Sequence, residues 1–250
     1  MFDYRDKTQE KYKKVLFIHG WGFTSKIWVN IATRFFKPDN CVFLNLYSFI
    51  DSSEGNLKTA AQEVLKQHKD IDLIFSWSLG CFLAKEIEFL RRENPIKMVY
   101  ISFTPRFMKT KVWNFGFHDN TINKLKADLS INKEKALKNF YLLILGNFKS
   151  KKEVYKKIIL NVDLVLAESL GSLNSGLDII QKSNYDNFFV EEQSLNLYIY
   201  GEGDSITPPE IKNTIKIFDS VSGIKVIPSS SHIPFLTNSD DFYKILKEFI

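Results

Sequence analysis

The residues with the clearest chemical potential surround Ser78. The segment Ser76-Trp77-Ser78-Leu79-Gly80 joins a short apolar run to a stretch with helical spacing. At a strand–turn–helix junction a serine hydroxyl is pushed out of the sheet, and the N-terminus of the following helix lies beside it. The usual pattern is G-x-S-x-G; here Ser76 replaces the first glycine and is small enough to fit. We therefore predict that Ser78 is a nucleophile.

A serine hydroxyl needs a base to take its proton, and the base needs a carboxylate to orient it. In hydrolases built around this turn, the chain order is serine, acid, histidine. Of the four histidines, His232 alone follows the last predicted strand. Asp204 lies in the loop after the strand that ends at Tyr200, and Glu202 in the same loop is the alternative acid. The predicted catalytic set is Ser78, Asp204 and His232.

This chemistry also requires two backbone N–H groups that stabilise negative charge on the reacting oxygen. One is expected from Leu79, directly after the nucleophile. The other is expected from the loop after the first strand, His19-Gly20-Trp21-Gly22, where Trp21 is the natural donor. The His19 side chain is expected to brace that loop rather than to take part in the chemistry.

A parallel sheet is needed to bring these loops to one edge. Short apolar runs predict strands at residues 15–18, 41–46, 72–77, 98–103, 195–200 and 223–227. Helical spacing predicts helices at residues 57–65 and 82–92 and a closing helix at 242–250. Strands that alternate with helices indicate an α/β domain with a mostly parallel central sheet flanked by crossover helices.

The stretch from about 105 to 190 breaks this alternation. It shows helical patterns at residues 133–144, 153–166 and 176–182 and no clear strand. We therefore expect one domain over residues 1–250, with a core at about 1–104 and 191–250 and a helical cap, or lid, at about 105–190.

Composition limits the remaining classes of function. The 250-residue chain is 44% hydrophobic with a formal net charge of +5, which does not by itself suggest nucleic-acid binding. Cys41 and Cys81 show no metal-ligand spacing and are expected to be free thiols in a reducing compartment. There is no signal-peptide pattern and no apolar run of about 18 residues. We expect a cytoplasmic monomer that needs no metal or cofactor and binds no membrane.

Several motifs together resemble the pimeloyl-[acyl-carrier protein] methyl ester esterases of biotin synthesis, and the similarity covers nearly the whole chain. The motifs are His19-Gly20-Trp21-Gly22, Trp77-Ser78-Leu79-Gly80 and His232-Ile233-Pro234-Phe235, with weaker support from Gly176-Leu177-Asp178-Ile179-Ile180 and from Tyr200-Gly201 leading to Asp204 and Pro208. The resemblance implies the α/β-hydrolase fold with a cap. It also implies hydrolysis of the methyl ester of pimeloyl-ACP to pimeloyl-ACP and methanol.

The resemblance also implies where substrate and partner bind. Substrate-binding positions carried over onto this chain are Trp21, Trp77, Leu79, Phe140, Tyr141, Leu142, Leu143 and Ile144. Cap lysines expected to hold the acidic acyl carrier protein are Lys135, Lys138, Lys152 and Lys156. The family uses arginine at cap positions where this chain has mostly lysine, and Asn139 stands where another arginine is expected, which shifts or weakens that footprint. A solvated lysine-rich face is the alternative interpretation.

Two other functions fit the same residues. A generalist short-chain carboxylesterase or thioesterase would use the same triad, and a comparison of carrier-linked with free esters separates it from the first hypothesis. A non-catalytic α/β-hydrolase that binds a ligand or a protein is the third, and Ser76 in place of glycine is the feature that favours it. A fluorophosphonate probe distinguishes this last case, because it labels only an activated serine.

Overall fold

Six strands form the frame of the computed structural model, which describes residues 11–185, 196–214 and 223–250. The strands are β1 (Val15–Ile18), β2 (Cys41–Leu44), β3 (Leu73–Trp77), β4 (Lys97–Ile101), β5 (Leu197–Gly201) and β6 (Gly223–Ile227). They form one sheet in the order β2-β1-β3-β4-β5-β6, and every pairing is parallel. The predicted sheet is confirmed, and the carboxyl ends of its strands share one edge.

Helices cover both faces of this sheet, as a parallel sheet requires. Those before β5 in the core are α1 (Val29–Phe35), α2 (Leu46–Ser52), α3 (Leu57–Gln67) and α4 (Gly80–Leu90). Two more, α10 (Pro234–Thr237) and α11 (Ser239–Phe249), follow β6. The strands β1 and β3 are buried along their whole length, and apart from Ser76 in β3 all their residues are apolar, without the alternation of a half-exposed strand.

Between β4 and β5, the regular structure within the described residues 102–185 is helical, apart from an isolated β-bridge between Met108 and Phe117. We call residues 119–182 the helical insertion; it contains α5 (Asp119–Ile131), α6 (Lys133–Leu145), α7 (Lys151–Ile159), α8 (Val162–Leu166) and α9 (Leu170–Lys182). The predicted boundary between cap and core, at residues 190 and 191, lies outside the described residues.

Several element bounds differ from the sequence prediction. The single helix predicted at 153–166 is wrong, because α7 ends at Ile159 and α8 begins at Val162. Buried apolar residues continue across the break at Val154, Ile158, Val162 and Val165, so the periodicity does not reveal it. The second strand stops at Leu44 instead of residue 46, since the Asn45 side chain accepts the Tyr47 N–H and starts α2.

Helix α5 was missed by the sequence prediction and α9 was predicted too short, because the sequence signals for them are weak. Only Ile122 and Leu129 are buried along the thirteen residues of α5, so its apolar stripe is thin. Helix α9 begins at Leu170, six residues before the predicted start, because the Ser169 side chain accepts the Ser172 N–H at its N-terminus. Caps of this kind stabilise a helix start without adding apolar periodicity.

Candidate active site

Ser78 occupies a strained turn at the end of β3. Its φ is +53°, in the left-handed region that non-glycine residues rarely adopt. Two residues later the chain passes so close to β1 that a Cβ on Gly80 would lie 2.6 Å from the His19 carbonyl oxygen and 2.8 Å from that of Ile18. Glycine is therefore required at the last position of the motif, where α4 begins.

Serine fits at the first position of the motif. Ser76 is buried in β3, and its hydroxyl donates to the Val99 carbonyl of the neighbouring strand over 3.3 Å. The hydroxyl that serine adds at this glycine position is therefore satisfied by a hydrogen bond. Cys81, one residue into α4, is also buried, and burial raises the pKa of its thiol to about 12. A thiol in this environment is not a competing nucleophile.

His232 joins Ser78 to a carboxylate. Its Nε2 lies 2.9 Å from the Ser78 Oγ, and its Nδ1 lies 2.8 Å from the Asp204 Oδ2. Because an ionised carboxylate only accepts hydrogen bonds, the proton belongs on Nδ1 and leaves Nε2 free to accept the serine hydroxyl. The structure therefore brings together the three residues that the sequence analysis selected, and all three are buried.

Asp204 is held by more than His232. Its Oδ1 accepts the backbone N–H groups of Ile206 (2.8 Å) and Thr207 (2.9 Å), and its Oδ2 accepts the Thr207 hydroxyl (2.6 Å). Burial raises the pKa of this carboxyl, but the electrostatic interaction with the His232 ring and the hydrogen bonds from His232 and Thr207 outweigh it and hold the pKa below its ordinary value. Glu202, the alternative acid, instead accepts the Ser229 N–H at the surface.

Residues 228–233, which we call the base loop because they carry the predicted base His232, are anchored through the backbone of that residue. Its carbonyl oxygen accepts the Trp77 indole N–H (2.8 Å) and the Ser102 hydroxyl (3.0 Å), while its own N–H donates to the Ile144 carbonyl of α6 (3.3 Å). Ser102 is a residue that the sequence analysis missed. It follows β4 with φ at +51°, and the apolar run that predicts β4 carries no signal for that role.

The loop after β1 passes directly over the nucleophile. A Cβ on Gly20 would lie 3.0 Å from the Trp77 ring and 3.1 Å from the Ser78 Cβ. The predicted donor Trp21 is the next residue, so its N–H belongs to a part of the loop that lies close to Ser78. His19 is buried, its Nδ1 lies 2.9 Å from the Gly20 carbonyl oxygen, and its Nε2 accepts the Leu46 N–H. Burial lowers the pKa of His19 to about 4, so the ring is neutral near pH 7. This geometry fits the predicted bracing role.

Side chains of the helical insertion enclose the Trp21 indole. Its Nε1 donates to the Leu173 carbonyl of α9 over 2.8 Å, and the Phe140 ring of α6 packs edge-on with centroids 4.6 Å apart. A Cβ on Gly176 of α9 would lie 2.7 Å from Trp21 and 3.3 Å from the Leu79 side chain. Only a glycine lets α9 approach this closely.

The predicted substrate-binding residues of α6, Phe140–Ile144, fall into a buried group and an exposed group. Phe140, Tyr141 and Ile144 are buried on the side that meets Trp21 and the base loop. Leu142 and Leu143 are 44% and 41% exposed and take no part in that buried cluster. Their role as substrate contacts stays a prediction, and only Phe140, Tyr141 and Ile144 belong to the buried cluster.

The chain is similar to known proteins over nearly its whole length. No protein-family model matches the chain. The pimeloyl-[acyl-carrier protein] methyl ester esterase of Wigglesworthia glossinidia brevipalpis is 29% identical over 243 residues, which cover 94% of this chain and 93% of that protein. The protein of the same name from Pseudoalteromonas atlantica is 23% identical over 237 residues and covers 92% of each chain.

Solved structures share the fold of this chain. An esterase from Exiguobacterium antarcticum has a TM-score of 0.80 at 15% identity, over 95% of this chain and 91% of its own. A hydrolase from Oleispira antarctica has a TM-score of 0.79 at 18% identity, over 97% and 92%. The chain has the α/β-hydrolase fold. The predicted resemblance is confirmed, as is the prediction of a carboxylic ester hydrolase.

The lysines predicted to bind a partner lie on the outer surface of this α/β-hydrolase. Lys135, Lys152 and Lys156 are exposed, and Lys138 is partly exposed and paired with Glu134. Lys133, by contrast, has a structural role, because its ammonium group donates to carbonyl oxygens at the end of α8.

Within residues 11–185, 196–214 and 223–250, no group of three or more His, Cys, Asp or Glu side chains is arranged to hold a metal ion. No helix in this same part of the chain has the length and apolar character to cross a membrane.

Proposed function

We propose that this protein is a serine esterase that hydrolyses the methyl ester of pimeloyl-ACP to pimeloyl-ACP and methanol, in biotin synthesis. The observation that carries the proposal is the continuous chain of contacts from Ser78 through His232 to Asp204. The names of relatives that match over nine-tenths of the chain support the substrate.

The mechanism begins when His232 Nε2 takes the Ser78 proton. The serine oxygen attacks the ester carbonyl, and the Trp21 and Leu79 N–H groups bind the oxyanion. Collapse of this intermediate expels methanol, which takes the proton from His232, and leaves an acyl-enzyme on Ser78. Water then hydrolyses the acyl-enzyme by the same steps in reverse. Asp204 keeps the imidazole in the correct tautomer and stabilises its protonated form throughout.

The aromatic enclosure around Trp21 supports an acyl chain as substrate. Leu79 directly follows Ser78, a Cβ on Gly176 would meet both Leu79 and Trp21, and the Trp21 ring packs against Phe140. An apolar wall of this kind fits the methylene chain of a pimeloyl group, while the lysines outside fit an acidic carrier protein. The proposed carrier contacts are Lys135, Lys138, Lys152 and Lys156.

The first test replaces the nucleophile. Ser78→Ala removes the only atom that forms the acyl-enzyme, so we expect turnover of p-nitrophenyl acetate and of methyl pimeloyl-ACP to fall by about 10³-fold or more. Ser130→Ala, at an exposed serine of α5, is the matched control and should match the wild type. Retained turnover in Ser78→Ala, or no labelling of the wild type by a fluorophosphonate, contradicts the assignment and favours a binding protein.

The second test concerns the substrate. A much higher kcat/KM for methyl pimeloyl-ACP than for free short-chain methyl esters and thioesters is expected. Equal values would favour a generalist carboxylesterase or thioesterase that uses the same triad. Growth of a biotin auxotroph without its own esterase, restored by the wild-type chain and not by Ser78→Ala, is the expected result in cells.

A further inference from the structure

Three successive peptide planes of the loop after β1 are each held by a buried side chain. The Gly20 carbonyl oxygen accepts the His19 Nδ1–H (2.9 Å). The Gly22 N–H donates to the Tyr47 hydroxyl oxygen (2.7 Å), and the Gly22 carbonyl oxygen accepts the Tyr141 hydroxyl (2.8 Å). Both tyrosines and the histidine are buried. Side chains from three different parts of the chain therefore fix this loop.

These planes include the one that carries the proposed oxyanion donor. In a trans peptide the N–H and C=O groups point in opposite directions, so the His19 contact to the Gly20 oxygen aims the Trp21 N–H to the other side. Gly22 comes next with φ at +73°, a conformation with little steric restriction for glycine. Glycine does not fix its own backbone geometry, so the contacts on Gly22 determine it. The two tyrosine hydrogen bonds to Gly22 therefore restrict how the peptide plane that contains the Trp21 N–H can rotate.

Tyr141 differs from the other two in its origin. His19 follows β1 and Tyr47 lies on α2, so both belong to the core, whereas Tyr141 belongs to α6 of the helical insertion. Three residues further along α6, the Ile144 carbonyl oxygen accepts the His232 N–H. One buried face of α6 thus contacts both the loop of the proposed oxyanion donor and the loop of the proposed base.

We infer that Tyr141 is a positioning residue for the oxyanion hole and acts through Gly22. Helix α6 thereby positions both the loop of the oxyanion donor and the loop of the base. The inference rests on the proposed function, because it takes the Trp21 N–H as a donor. A donor aimed in advance stabilises the transition state more than the bound substrate. The Tyr141 hydroxyl therefore contributes to kcat rather than to substrate affinity.

The test is Tyr141→Phe, which removes one oxygen and keeps the ring. We expect kcat for p-nitrophenyl acetate to fall about tenfold, with KM changed less than about twofold, because one neutral hydrogen bond is lost. The Ki of a trifluoromethyl ketone, which forms a tetrahedral oxyanion on Ser78, should rise by the same factor as kcat/KM falls. Tyr243→Phe on α11, at a partly buried tyrosine that packs against Phe35, is the control and should leave these constants unchanged.

Rescue separates positioning from structural damage. Incorporation of 4-aminophenylalanine at position 141 keeps a donor at the para position, so it should restore most of kcat and Ki. A Tyr141→Phe variant with an unchanged Ki, or with a loss in KM alone, overturns the inference. If Tyr141→Phe does not fold, the 4-aminophenylalanine variant is compared with the wild type instead. A rise in its Ki by the same factor as its kcat/KM has fallen supports the inference. A lower kcat with an unchanged Ki overturns it.

Ser78→Ala is measured in the same series. Retained turnover in Ser78→Ala refutes the proposed function itself. An inactive Ser78→Ala beside a fully active Tyr141→Phe refutes only the role of Tyr141.

Discussion

His19 combines two hydrogen bonds that only a neutral imidazole makes. The Nδ1–H group donates to the Gly20 carbonyl oxygen, and the bare Nε2 accepts the Leu46 N–H. A second proton on the ring would abolish the acceptor. Burial, opposed in part by the hydrogen bond to Gly20, lowers the pKa of His19 to about 4. The unfolded chain has no such burial, so its histidine keeps a pKa of about 6.5.

This difference predicts a pH dependence of stability. Between the two pKa values the unfolded chain binds the proton and the folded chain does not, so the contribution is present above about pH 6.5 and is lost as pH falls towards 4. We expect the wild type to lose about 2 kcal/mol of unfolding free energy from this group between about pH 7 and pH 5. Urea unfolding of the wild type, His19→Gln and the exposed control His118→Gln measures it. An acid loss as large in His19→Gln as in the wild type would refute the prediction.

The chemical residues were predictable from type and chain order, whereas their supports were not. Ser78, Asp204 and His232 are scarce or specially placed residues whose sequence contexts differ from the rest of the chain. Tyr47 and Ser102 are common residue types whose bonds join positions far apart in sequence, to Gly22 and to His232. Nothing in their immediate sequence specifies such partners, since only the packed fold determines them.

At the scale of elements, the end of α8 is held by a cation from another helix. The Lys133 ammonium group at the start of α6 donates to the Leu166 carbonyl oxygen (2.7 Å) and to that of Glu168 (2.9 Å). The last carbonyl groups of a helix lack intrahelical partners and carry partial negative charge. Lys133 therefore links α8 to α6, the helix that carries Tyr141.

Lys133→Met tests that link. The methionine keeps most of the apolar stem and loses two charge-assisted hydrogen bonds, so we expect a loss of about 1–3 kcal/mol in unfolding free energy. In a chain of this length such a loss lowers Tm by about 2 °C or more. Thermal unfolding followed by circular dichroism measures it, with Lys157→Met at an exposed lysine of α7 as the control. Equal Tm values for the two variants would show that the contact adds no stability.

The same helices show where element prediction stops. The buried strand Val15–Ile18 was predicted to the residue, because it is a short apolar run between turns. The bounds of the edge strand Gly223–Ile227 were also predicted correctly, although only Ile227 in it is buried. The break between Ile159 and Val162 was not, since apolar residues remain in register on both sides of it. Periodicity reports which face is buried and does not report local hydrogen bonding.

For the whole molecule, the distribution of charge matters more than the net value of +5. Lysines of α6 and α7 are exposed on the insertion, while the nucleophile and its partners are buried beneath it. An exposed cationic surface accelerates encounter with an acidic partner and has little effect on a small neutral ester. Carrier-linked and free substrates should therefore respond differently to salt and to charge reversal.

Charge reversal at Lys152 and Lys156 tests this difference. The double change to glutamate replaces attraction by repulsion, so we expect kcat/KM for methyl pimeloyl-ACP to fall about tenfold or more at low salt. The fall should shrink at about 0.15 M salt and above, where the Debye length is about 8 Å or less. The same reversal at Lys58 and Lys66 on α3 is the matched control, because it changes the net charge equally at the core surface. If both double variants lose the same activity, net charge alone acts and the lysines of α7 do not contact the carrier protein.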